Sequence, residues 1–90
     1  MAKVLIKVNV AYPEVFIKTF EGQDRRNKGE RGFISAVVDD KPNFVYVILD
    51  WDSIGSAKSF WSSPEGKVHI AEWNSVIAPE ITVLRESTED

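Results

Sequence analysis

The chain has 90 residues, 43% of them hydrophobic and 28% charged, with a net charge of −3 and no cysteine. A chain of this length forms one domain and buries only about 60–65% of its unfolded surface, so it gains much from a partner. An acidic chain without a basic stripe is not an electrostatic nucleic-acid binder, and the lack of cysteine excludes disulfides, thiolate catalysis and thiolate metal sites.

The first ten residues, MAKVLIKVNV, alternate: Val4, Ile6, Val8 and Val10 point one way, Lys3, Leu5, Lys7 and Asn9 the other. That period predicts a strand. Lysines inside the apolar run and no small-residue cleavage site after it argue against a signal peptide, and no run approaches the roughly 20 apolar residues of a membrane span. The expectation is a cytoplasmic protein. Pro13 suits the first turn of a helix, and Phe16, Ile17 and Phe20 repeat at helical spacing. The polar run EGQDRRNKGERG predicts that this helix ends by Gly29 or Gly32, and the charges of DRRNKGER read as a solvated helix end and loop.

FISAVVDD is a second strand, KPN a turn and FVYVILDW a third strand, and the short connection makes the pair an antiparallel hairpin. Phe44, Tyr46 and Ile48 share one face of the third strand; Val45, Val47, Leu49 and Trp51 share the other. A strand apolar on both faces is covered on both. Asp52 or Ser53 caps the next helix, with Ile54, Ala57, Phe60 and Trp61 on one side. Ser63 and Pro64 then start a new helical segment as N-cap and first position. That segment runs to about Val76 and carries His69, Ile70 and Trp73; Pro79 follows, then the strand ITVLRE. The domain is expected to span 1–86, with 87–90 an acidic, mobile tail.

The order strand, helix, strand, strand, helix, strand predicts an α+β, ferredoxin-like βαββαβ fold: an antiparallel sheet with both helices on one face. The uncovered face presents Leu5, Lys7, Asn9, Phe44, Tyr46 and Ile48. A patch that apolar marks an interface, so two sheets are expected to pack face to face as a homodimer.

With this element order the chain resembles the dimeric α+β barrel superfamily, in particular its antibiotic-biosynthesis-monooxygenase-like branch. The resemblance covers nearly the whole chain and is strongest over VYVILDWDSIGSAKSFWSSPEG, Val45 to Gly66, where a strand ending in an acidic-aromatic pair leads into a helix and a Ser-Pro break. It implies a ligand pocket between helices and sheet or within the barrel. It also implies activities that range from cofactor-independent oxygenation to isomerisation, cyclisation and haem degradation, because a fold does not fix a function. Two departures stand out. Many monooxygenase-like members place a histidine shortly before the Ser-Pro break, where this chain has Ser59 and Phe60. The haem-degrading branch uses an asparagine, a tryptophan and a histidine; Asn9 matches the first, but Phe60 and Ile70 fall at the other two. Trp61 and His69 are each one residue off, and one residue turns a helical side chain by about 100°.

The candidate site residues are Asn9 and His69 as catalytic groups and Trp61, Tyr46, Lys7 and Phe60 as substrate-binding groups, with no metal and no cofactor. Histidine is the side chain that changes charge near neutral pH, and His69 is the only one. It reads either as a base or as a helical histidine packed on Trp73, with Glu65 four positions before it. Trp61 reads as core packing or pocket wall. Lys7, Asn9 and Tyr46 are the polar members of the sheet's second face. They read either as the polar end of a pocket or, for Lys7, as a side chain reaching the rim to pair with Asp50 or Asp39.

Two functions fit. One is a small enzyme that binds an apolar aromatic molecule and performs cofactor-free oxygenation or isomerisation-type proton transfer. The other is a non-catalytic ligand-binding or dimerisation module with a filled core. Haem binding is a third.

Overall fold

A computed structural model of the chain describes residues 2–85. Four strands form one sheet in the order β2-β3-β1-β4. They are β1 (Ala2–Asn9), β2 (Glu30–Val38), β3 (Lys41–Trp51) and β4 (Glu80–Arg85), and all neighbours are antiparallel. The helices α1 (Pro13–Gly22), α2 (Ile54–Ser62) and α3 (Pro64–Glu72) complete the α+β, ferredoxin-like arrangement, with a short 3-10 turn at Arg26–Lys28. The acidic tail lies outside the described residues.

The period-2 pattern sets which side of each central strand is buried. Val4, Ile6, Val8, Val45, Val47, Leu49 and Trp51 lie under the helices with at most 1% exposure. Facing them are Phe16 and Phe20 of α1, Ala57, Phe60 and Trp61 of α2, and Trp73 at the end of α3. Each fully buried large apolar side chain contributes about 1.5–3 kcal/mol through its removal from water.

The helix starts follow local chemistry. Pro13 occupies the first turn of α1. Ser53 caps α2, its hydroxyl accepting from the Ser56 N–H, and Ser63 caps α3 by accepting from the Gly66 N–H, with Pro64 next to it. The junction between α2 and α3 is therefore one residue wide.

Several boundaries differ from the sequence-based expectation. Helix α1 stops at Gly22, because Gln23 takes an extended conformation and the chain turns inward to bury Arg25. The DRRNKGER run is thus not wholly solvated. Arg25 is 1% exposed, and its Nε donates to Glu30 Oε1 at 2.8 Å. Strand β3 begins at Lys41, so Asp39 and Asp40 make the hairpin turn instead of the KPN segment. Helix α3 ends at Glu72, and Asn74 takes a left-handed φ of 51°. Asparagine tolerates that region, so the chain leaves the helix here and the Val76 N–H reaches the Asn9 carbonyl at 2.8 Å.

Candidate functional site between helices and sheet

The helix side of the sheet is an aromatic interior. Phe60 and Trp61 meet edge to face at 4.8 Å, Phe60 meets His69 edge-on at 5.2 Å, and Trp61 lies 5.9 Å from Trp73. Trp51 packs on both Phe60 and Trp61, at 5.5 and 6.0 Å. Adjacent α2 positions carry Phe60 and Trp61, and His69 faces them from the buried side of α3. The structure thus brings three of the six candidate residues together: Phe60, Trp61 and His69.

Polar satisfaction differs across this cluster. Trp51 Nε1 donates to the Lys28 carbonyl at 3.1 Å, and Trp73 Nε1 donates to the Gln23 amide oxygen, Oε1, at 2.9 Å. Trp61 Nε1 and His69 Nε2 are buried without any hydrogen-bond partner. His69 Nδ1 lies 2.9 Å from the Glu65 carbonyl oxygen. A carbonyl only accepts, so Nδ1 carries a proton, and in the neutral tautomer that this contact selects the lone pair lies at Nε2. The partner from Glu65 is the backbone, not the carboxylate, which pairs with Lys28 at 3.4 Å. An unpartnered buried polar group costs about 1–3 kcal/mol. Here one donor and one acceptor stand unpaired in the same apolar shell.

Gln23 and Arg25 hold the frame around it. The Gln23 amide nitrogen donates to the His69 carbonyl at 3.1 Å and to Glu72 Oε1 at 2.9 Å, while its oxygen receives the Trp73 N–H. One side chain at the end of α1 therefore fixes the last turn of α3. The Arg25 guanidinium stacks on Phe20 at 3.9 Å and donates to the Phe20 carbonyl at 3.3 Å. Burial pulls its pKa below the ordinary arginine value, and the Glu30 carboxylate opposes that shift. Gly29 closes the same corner. It has a φ of 119°, and a Cβ there would sit 2.6 Å from Trp51 Nε1. Sequence reasoning missed Gln23, Arg25 and Glu30. The only signal for them was a glycine-punctuated polar run.

The other three candidates lie across the sheet. Lys7 and Tyr46 are cross-strand partners, as are Asn9 and Phe44, and strand alternation puts this set opposite the buried valines. Lys7 pairs with Glu80, its cross-strand neighbour on β4, at 3.9 Å, and its ammonium lies 5.6 Å above the Phe44 ring. Asp50 pairs with Lys3 instead. Leu5, Phe44 and Tyr46 are half-buried on this face, while Ile34, Ile48 and Leu84 are exposed. Among the described residues, surface clefts of about 250–430 Å³ lie at the end of α1, beside Tyr12 and Trp73, beside Ile34 and Ile48, and beside Phe60 and Pro64, and neither Asn9 nor His69 lines these. Among the described residues no group of three or more His, Cys, Asp or Glu side chains is placed to hold a metal ion, and no helix is long and apolar enough to cross a membrane.

No family model and no curated protein matches the sequence. Solved structures do match the fold. A provisionally assigned antibiotic biosynthesis monooxygenase of Deinococcus radiodurans aligns over 100% of this chain and 96% of its own, with a TM-score of 0.71 at 10% identity. A second, from Bordetella bronchiseptica, aligns over 94% and 95% with a TM-score of 0.73 at 12% identity. A variant of SnoaB of Streptomyces nogalater, a cofactor-independent oxygenase, aligns over 98% and 94% with a TM-score of 0.70 at 15% identity. The chain has the antibiotic biosynthesis monooxygenase fold. At these identities the likeness is one of backbone, so the chemistry of this domain is argued from its own side chains.

Proposed function

We propose that the protein is a homodimeric small-molecule-binding protein of the cytoplasm. It holds an apolar aromatic molecule in the aromatic interior under α2 and α3 and acts on it by cofactor-independent oxygenation or proton transfer. The observation that carries this reading is the pair of buried, unpartnered polar atoms, Trp61 Nε1 and His69 Nε2, inside an otherwise apolar shell. Such groups are normally satisfied, and a ligand oxygen would satisfy both. His69 Nε2 then takes a proton from the substrate, the Trp61 N–H holds the resulting oxyanion, and the indole and phenyl walls exclude water. In such chemistry the electrons for oxygenation come from the substrate anion itself. The naming of SnoaB as a cofactor-independent oxygenase supports this direction.

The experiment is a tryptophan-fluorescence titration with hydroxylated aromatic compounds, followed by oxygen uptake. Trp61→Phe keeps a buried ring and removes only the donor. It is expected to weaken binding about tenfold, the worth of one good hydrogen bond, with the thermal midpoint showing a folded protein. Unchanged affinity would remove Trp61 from the site.

The second sheet face supports the homodimer. Leu5, Phe44, Tyr46, Ile48, Ile34 and Leu84 form an apolar surface interrupted by the Lys3–Asp50 and Lys7–Glu80 pairs, and a second copy would cover it. Asn9, Lys7 and Tyr46 then become the polar residues of the space between two sheets. Light scattering over a dilution series is expected to give twice the chain mass into the micromolar range. A monomer there contradicts the dimer.

A non-catalytic ligand-binding or dimerisation module is the second reading. It is favoured by the placement of Asn9, Lys7 and Tyr46 across the sheet from His69 and Trp61, which separates the two proposed catalytic residues. Turnover of a bound compound, with oxygen uptake for oxygenation or without it for proton transfer, supports the enzyme, and binding without turnover supports the module.

A further inference from the structure

One surface cleft reaches Phe60, the neighbour of Trp61 and His69. It measures about 380 Å³ and is lined by Lys28, Ser59, Phe60, Ser63, Pro64 and Glu65. Phe60 is the residue that the cleft shares with the interior: it is 4% exposed, yet it lines the cleft and lies edge-on to both Trp61 and His69. Phe60 thus borders the cleft and packs on the two residues that carry the unpartnered atoms.

The backbone around this wall is fixed. At Gly66 a Cβ would come within 2.3 Å of the Phe60 carbonyl oxygen, so α3 lies directly against the end of α2. The Ser63 hydroxyl donates to the same carbonyl at 2.6 Å and accepts from the Gly66 N–H at 3.1 Å. On the far side Trp51 holds the Lys28 carbonyl. What can move is the Phe60 side chain, by a change of rotamer.

We propose that Phe60 is a gate: its ring swings into this cleft and opens a passage to Trp61 Nε1 and His69 Nε2, and the molecule admitted is a small neutral aromatic alcohol. The proposal rests on the reading of that pair as a ligand site and adds the route and the required group. His69 Nδ1 is committed to the Glu65 carbonyl, so Nε2 needs a donor, and Trp61 Nε1 needs an acceptor. A hydroxyl supplies both. The cleft carries one cation and one anion, Lys28 and Glu65, already paired with each other at 3.4 Å. Its mouth therefore offers no net attraction to a charged ligand, which favours a neutral one.

The probe is 1-naphthol, with naphthalene as the partner lacking the hydroxyl, followed by stopped-flow tryptophan fluorescence. Phe60→Ala removes the gate and is expected to speed association about tenfold, and Ser59→Phe, at an exposed position on the cleft, is expected to slow it about tenfold. Naphthalene is expected to bind about tenfold more weakly than 1-naphthol. If the wild type binds 1-naphthol and neither variant changes the rate, the gate is wrong and the ligand site stands. If naphthalene binds as tightly as 1-naphthol, the hydroxyl requirement is wrong. If neither the wild type nor folded Phe60→Ala binds, the site and the gate fall together. Should Phe60→Ala fail to fold, Ser59→Phe decides alone, since its side chain lies at the surface.

Discussion

Glu30→Ala is expected to lower the unfolding free energy by about 3–5 kcal/mol, because it strands a buried cation. Arg25 is almost wholly enclosed by Phe20, Phe33 and its own loop. Glu30 Oε1 receives the Arg25 Nε–H, and Glu30 Oε2 receives the Gly32 N–H at 3.0 Å. Desolvation is already the largest influence on Arg25. Removing the carboxylate leaves that cost unopposed and frees a backbone donor as well. Against a total stability of roughly 5–15 kcal/mol, such a loss takes much of what a small domain has. The double variant Arg25→Met, Glu30→Gln is expected to recover a large part of it, since an uncharged pair avoids burying charge. Urea unfolding of the wild type, the single and the double variant measures this. A single variant as mild as a surface substitution, about 0.5 kcal/mol or less, would mean that water reaches Arg25.

The second large effect has the opposite sign to helix propensity. Gly66 sits in α3, where alanine is favoured over glycine by about 1 kcal/mol. Gly66→Ala is nevertheless expected to destabilise by about 3 kcal/mol, because the new methyl group would lie 2.3 Å from the Phe60 carbonyl oxygen and 3.1 Å from Trp61 Cα. Both neighbours are backbone and cannot yield as a side-chain tip can. The two helices must part, and the Ser63 hydroxyl loses one of its two contacts. Thermal or urea unfolding reads the change directly. A stabilised Gly66→Ala would show that the junction relaxes freely and that the Phe60 backbone is not held.

Much of the fold was legible because strand alternation and cap chemistry act locally. Val4, Ile6 and Val8 against Lys3, Leu5 and Lys7 is a pattern with one solution, and so is Ser63 followed by Pro64. What was not legible depends on contacts distant in sequence. Nothing near Gln23 shows that its amide will meet Glu72 and the His69 carbonyl, 46 or more positions away. Nothing in DRRNKGER shows which arginine turns inward, because a charged run looks the same whether or not one member finds a buried carboxylate. The end of α1 moved from the later glycines to Gly22 for the same reason: burial of Arg25 requires the chain to leave the helix early.

The candidate site was legible in parts. The helical spacing of Phe60 and Trp61 pointed inward, and both are buried. His69 was read against Trp73 with a carboxylate nearby, whereas its ring packs on Phe60 and its Nδ1 holds a backbone carbonyl. Asn9 belongs by alternation to the face away from the helices, so the sheet lies between it and His69.

The most direct test of the ligand-site reading uses the fact that the chain has one histidine. The imidazole ¹⁵N spectrum then contains only the two nitrogens of His69. In the free protein the neutral ring is expected to carry its proton on Nδ1, with Nε2 unbonded. Addition of 1-naphthol is expected to shift the Nε2 resonance as it accepts a hydrogen bond, and addition of naphthalene to leave it in place. A proton on Nε2 in the free neutral ring, or an Nε2 resonance that does not respond to 1-naphthol, would contradict the account.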